Sequence, residues 1–137
     1  MRHTLFDGQR DVIILLARIL LLVLFVMSGW GKLIGFEGTV GYLGSLGAPA
    51  PTLAAAIAVL MELFVGILLI LGFYTRPLAF LLALFVFGTA LIGHPYWSMV
   101  DPERSANLIH FYKNMSIVGG LLLLAVTGAG RFSLDRR

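Results

Sequence analysis

The sequence predicts an all-α integral membrane protein, a bundle of four spanning helices with both termini in the cytoplasm, and three observations lead there. Of its 137 residues, 59% are hydrophobic and only 12% are charged, with a mean hydropathy of +0.96; a water-soluble domain of this size cannot hide that much apolar surface. Four apolar stretches, at about 12–34, 52–72, 77–93 and 107–129, are each long enough to approach the roughly 20 helical residues that cross a hydrocarbon core about 30 Å thick. An even number of spans puts both termini on one side together with the turn "FYTRP". That side gathers Arg2, Arg10, Arg76, Arg131, Arg136 and Arg137, against Arg104 and the boundary residue Lys32 on the other. The positive-inside bias makes it cytoplasmic, and one compact unit, 1–137, uses up the chain.

Residues 1–11 form a short polar tail. The apolar run after them follows Arg2 and Arg10 as a secretion signal would, but it is too long, contains Arg18 and ends in "SGWGKLIG" without a small-x-small cleavage site, so the first helix is expected to be retained. On that helix Arg18, Phe25, Gly29 and Lys32 fall on one stripe at the 3.6-residue period, with Ser28 at its edge. The next stretch, "GFEGTVGYLGSLGAPAP", is rich in glycine and ends in proline. It reads as a loop on the membrane surface with Phe36, Tyr42 and Leu43 dipping inward.

On the second helix Ala54, Ala58, Glu62 and Gly66 recur at intervals of four, the small-residue spacing that close packing in lipid favours, so Glu62 faces protein. "GFYTRP" is short enough to make helices two and three antiparallel neighbours, with Pro77 acceptable at a first helical position. Helix three, "PLAFLLALFVFGTALIG", carries no charge and is expected to pack and face lipid. The loop "HPYWSMVDPERSAN" holds Tyr96 and Trp97, which suit an interfacial belt. On helix four His110, Lys113, Asn114, Ile117 and Gly120 share a stripe, and "SLDRR" closes the chain as a basic end.

An ionised side chain near the bilayer centre costs roughly 2.5–3.5 kcal/mol on insertion scales, so such residues are paired or line a cavity. Side chains lean towards the N-terminus of their helix, which tips Glu62 and Lys113 outward and Arg18 inward. The expected partners of Glu62 are therefore Lys113 or Lys32. Arg18 is left to reach cytoplasmic water or a lipid phosphate by snorkelling, with an internal ion pair to Glu62 as the competing arrangement. Ser28, Lys32, Glu62, His110, Lys113 and Asn114 thus make a candidate polar cluster in the outer half. Each also has a purely structural reading: interhelical polar bonds lock bundles, and Lys32 and His110 lie close enough to the outer interface to snorkel.

The chemistry this inventory admits is narrow. The chain has no cysteine, which removes disulfides, thiol chemistry and cysteine-held zinc or iron–sulfur centres. A b-type haem would need axial ligands such as His94 and His110, but His94 precedes Pro95 at a helix end, a poor rigid ligand, so haem is not expected. No metal is expected either, because the ligand set lacks spacing and softness. No catalytic triad or phosphate loop is visible. The pI near 9.7 comes from the chain ends and one turn rather than a basic patch, so no nucleic-acid partner is expected. A lipid-soluble quinone fits better: its carbonyls accept hydrogen bonds from His, Lys or Asn, its ring needs an apolar pocket, and a buried carboxylate can relay protons.

The combination of "ARILLLVLFVMSGWGKL", "MELFVGILLILGFYTRP" and "HFYKNMSIVGGLLLL" resembles the DoxX family of small four-helix bacterial inner-membrane proteins over nearly the whole chain. The family is named for its similarity to a subunit of archaeal thiosulfate:quinone oxidoreductase, also described as a terminal quinol oxidase subunit; other members are associated with redox partner complexes or with biosynthesis. Its recurrent polar positions match Arg18, Ser28, Gly29, Lys32, Glu62, His110, Lys113, Asn114 and Gly120, with no catalytic role attached to them. The resemblance implies a quinone-linked redox subunit acting with a partner electron donor. The alternative is a non-catalytic membrane anchor or accessory protein of a redox or biosynthetic complex, and a solute pathway through a homo-oligomer is a third reading.

Overall fold

The computed structural model describes residues 5–135, and all of their regular structure is helical. Arg2, Arg136 and Arg137 of the basic end lie outside the described residues. Helix α1 (Arg10–Ile34) follows a single 3-10 turn and leads through Gly35 into a short helix α2 (Phe36–Ser45). Helix α3 (Pro51–Val59) starts with proline in its first turn, where the missing N–H costs nothing. It continues without a break into a π-helical segment (Leu60–Val65) and helix α4 (Gly66–Leu71), so these three make one span. Helices α5 (Thr75–Gly93) and α6 (Glu103–Thr127) complete the bundle. Four spans long and apolar enough to cross a membrane result, each matching its sequence window to within about a turn.

Two elements differ from the sequence reading. The glycine-rich stretch after α1 is the helix α2, not a loop, although Gly38, Gly41 and Gly44 lower its intrinsic helicity. Packing against α3 supplies what propensity does not. Within the second span the π segment adds a residue to one turn at Glu62, which strict 3.6-residue periodicity does not anticipate.

The core is built from two helix pairs. Helix α5 lies along α6 for its whole length, burying Leu82, Ala83, Val86 and Ala90, while α1 lies along the π segment and α4. The pairs meet through Leu22, Leu69, Leu82 and Leu121, which are fully buried. Away from the termini they separate: no Cα of α2 or α3 comes within 8 Å of α5 or α6, and none of α1 within 8 Å of α5. The molecule is a wedge, closed where the termini lie and open at the other, distal end.

Arg18 closes the terminal end, and it corrects the expectation of snorkelling. Its side chain is only 2% exposed and donates to three backbone carbonyls, Ile70 O at 3.0 Å, Ala129 O at 2.5 Å and Phe132 O at 2.7 Å. A planar guanidinium with five fixed N–H donors fits several carbonyls that face one point, so neither a lipid phosphate nor Glu62 is its partner. The carbonyls converge because the chain after α6 folds back over the α4–α5 turn: Leu134 N donates to Leu71 O at 3.0 Å and Asp135 N to Gly72 O at 2.8 Å. Gly72 is required at that crossing. It has φ +71°, and a Cβ there would lie 2.4 Å from the Ser133 Cβ and 3.0 Å from the guanidinium. The Asp135 carboxylate then accepts the Tyr74 and Thr75 N–H groups at 2.8 and 2.9 Å, capping α5.

Candidate functional site

Glu62 owes its position to the π segment and to Gly29. A Cβ at Gly29 would lie 2.4 Å from Leu63 N and 2.8 Å from Leu63 Cβ, so only glycine lets α1 seat against the widened turn. Three residues further along α1, Lys32 reaches Glu62 Oε2 with Nζ at 2.8 Å and also donates to Ser28 Oγ at 2.6 Å. The Glu62 side chain is 12% exposed and that of Lys32 31%. An ammonium has three N–H donors. Two are engaged here, and the third is unassigned.

This pair forms part of the wall of a cavity of about 520 Å³ in the open half of the wedge. Its lining is mostly apolar and comes from every helix but α4: Phe25 of α1, Leu43 of α2, Ile57 of α3, Val86 of α5 and Ile117 of α6 are examples. The polar groups are few: Ser28, Lys32, Thr39, Tyr42, Glu62, Thr89, His94 and Asn114. Asn114 has no hydrogen-bond partner among the described residues, so its amide is available to a guest. A space of this size and lining, with sparse polar groups, suits a small amphiphilic or lipid-soluble ligand.

His94 lines the same cavity at the C-terminal end of α5, close to the distal loops. Its Nδ1 lies 2.9 Å from Asn107 Oδ1, Asn107 Nδ2 donates to Glu103 O at 3.0 Å, and its ring stacks on His110 with centroids 5.1 Å apart and planes 30° apart. The two imidazoles therefore face each other. Tyr96, Trp97, Phe111 and Tyr112 form edge-on aromatic contacts beside them, with Arg104 5.8 Å above the Tyr96 ring.

The six residues expected to cluster thus divide. Ser28, Lys32 and Glu62 are in direct contact and Asn114 shares their cavity, whereas His110 and Lys113 are exposed and do not line it. Lys113 has no hydrogen bond or ion pair with any described residue. The reason lies in the wedge. Lys113 is seven residues from Gly120 and so on its stripe, and a Cβ at Gly120 would lie 3.3 Å from Leu21 of α1; two turns further out the helices have parted, and Lys113 stands at the seam without reaching across. Of the two partners expected for Glu62, the structure has Lys32. Tyr42 and Leu43 of α2, expected to dip inward, do line the cavity, whereas Thr39, Thr89 and His94 lay outside the expected cluster.

A second cavity of about 520 Å³ at the terminal end is lined by Tyr74, Arg76, Gly128 and Asp135 among others. Its charged groups are already engaged with backbone, Asp135 with the start of α5 and Arg76 with Val126 O. The distal cavity is the candidate site.

Comparison with known proteins adds a family to this geometry. Residues 13–95 match the family model described as DoxX. The chain is similar to the inner membrane protein YphA of Escherichia coli strain K12, with 52% identity over all of this chain and 98% of that one. It is 40% identical to the inner membrane protein YqjF of the same strain, over 92% of both chains. A shorter likeness, 34% identity over 56% of each chain, connects it with CatD of Bacillus subtilis strain 168, whose name proposes an oxidoreductase. No solved structure matches.

Proposed function

The chain belongs to the DoxX family and is a multi-pass bacterial inner-membrane protein, and on that premise we propose that it is the quinone-binding membrane subunit of an oxidoreductase whose electrons come from a partner protein. One observation carries this reading: an apolar cavity inside the bundle has an ion-paired carboxylate in its wall and unengaged donors beside it. The redox part is supported by the likeness to CatD. The terminal end, with Arg10, Arg76 and Arg131, faces the cytoplasm by the positive-inside bias, which puts the cavity in the outer half of the membrane.

The residues present fit such a guest. Its ring would lie among Phe25, Ile57, Val86 and Ile117, and its carbonyl would take the third N–H of Lys32 or the amide of Asn114. A bound quinone supplies a carrier for two electrons and two protons. Glu62 has its Oε2 paired with Lys32 and, among the described residues, no partner for Oε1, so Oε1 is the atom that can take up a proton released next to the site. Ser28 fixes the Lys32 ammonium from the other side.

The test is extraction of the protein purified in its native lipids, with mass spectrometry of the extract beside an absorption spectrum. Co-purifying quinone, lost in Glu62→Gln while that variant remains folded, is the expected result. A well-folded protein that carries no quinone and takes none up when it is supplied overturns the proposal and leaves the anchor reading.

A further inference from the structure

We propose that His94 accepts a hydrogen bond through Nε2 from a hydroxyl of the cavity's guest, so that the site has a donor end at Lys32 and Asn114 and an acceptor end at His94. The guest this selects is a lipid-soluble aromatic carrying a free phenolic hydroxyl, the reduced, hydroquinone form. The inference rests on the quinone reading above and deepens it.

A chain of hydrogen bonds fixes the tautomer of His94. Glu103 O can only accept, so the Asn107 group 3.0 Å from it is the amide nitrogen, and the amide oxygen is the atom turned to His94. An amide oxygen can only accept as well, so His94 Nδ1 carries the hydrogen of the 2.9 Å contact. In a neutral imidazole that leaves the lone pair on Nε2. No described residue bonds Nε2, and His94 lines the cavity.

The ring is also held in place. Pro95 keeps His94 out of helical geometry, at φ −133° and ψ 55°, its N–H is tied to Ala90 O at 3.1 Å, and its face rests on His110 at 5.1 Å. A side chain fixed at backbone, ring face and one nitrogen presents its other nitrogen in one orientation. The two ends of the cavity then ask for different things. Lys32 can only donate, and His94 in this tautomer can only accept.

The test uses a short-chain 1,4-benzohydroquinone and its dimethyl ether, titrated calorimetrically into the full-length protein in nanodiscs. Wild-type protein is expected to prefer the hydroquinone. His94→Phe, which keeps a ring against His110 but has no acceptor, is expected to lower that preference about tenfold, whereas Gly31→Ala, outside the cavity wall and with nothing within 4 Å, leaves it. If His94→Phe does not fold, Asn107 decides: Asn107→Asp keeps an acceptor facing Nδ1 and should keep the preference, while Asn107→Leu frees the tautomer and should weaken it. An undiminished preference in His94→Phe, or in Asn107→Leu where that variant decides, with binding still abolished by Glu62→Gln, overturns this inference and leaves the quinone reading standing. No binding of quinone or hydroquinone to the wild-type protein overturns both.

Discussion

At residue 18 an arginine is needed rather than merely a cation. Three carbonyls from two separate segments converge on its guanidinium, and an ammonium cannot reach them in the same fork. Arg18→Met, which strands these acceptors, is expected to cost about 3–5 kcal/mol, as breaking a buried charged network does; Arg18→Lys should fall between it and wild type when thermal unfolding in detergent is followed by circular dichroism. The pair of Lys32 and Glu62 behaves differently, being only partly buried. Lys32→Met or Glu62→Leu alone should cost about 2 kcal/mol, between the values for exposed and fully buried pairs. The double variant should regain most of that in the same unfolding assay and still bind no quinone, which separates holding the fold from holding a ligand. Periodicity was enough to put Arg18, Phe25, Gly29 and Lys32 on one stripe that faces the second span. It failed for Lys113, because a period fixes which face a residue occupies and says nothing of how far away the facing helix is.

Among the elements, the π segment and α2 were the parts that the sequence did not disclose. The π segment exists where a backbone can bulge into a neighbour lacking a side chain, and that neighbour, Gly29, lies far back in the chain from Leu63, in a different helix. Gly29→Ala is therefore expected to cost about 1–3 kcal/mol through overpacking and to lose bound quinone, since the displaced turn carries Glu62. Gly31→Ala, two residues along at a position with nothing within 4 Å, should be neutral or stabilise by about 0.5–1 kcal/mol; paired melting curves and quinone extraction of the two variants check this. Helix α2 was hidden for the opposite reason. Its three glycines speak against a helix locally, and the apolar residues Leu43 and Leu46 that hold it to the cavity are too few to show a period.

For the molecule as a whole, hydropathy alone was enough to find the four spans, since the membrane imposes their length, but not the splay that opens the cavity, which depends on where small residues let two helix pairs touch. Orientation is open to direct measurement, because the chain contains no cysteine. In intact spheroplasts Ser98→Cys should react with a membrane-impermeant maleimide, whereas Gly8→Cys should react only after the membrane is broken; the reverse pattern would invert the protein. The clasp at the terminal end also has a bearing on manufacture. Arg18 is 111 residues ahead of Ala129 and 114 ahead of Phe132 in the chain, so during synthesis the first span sits in the lipid with two of the three acceptors of its guanidinium missing until those carbonyls have left the ribosome. An interrupted translation product thus carries a membrane-embedded arginine whose set of acceptors is incomplete.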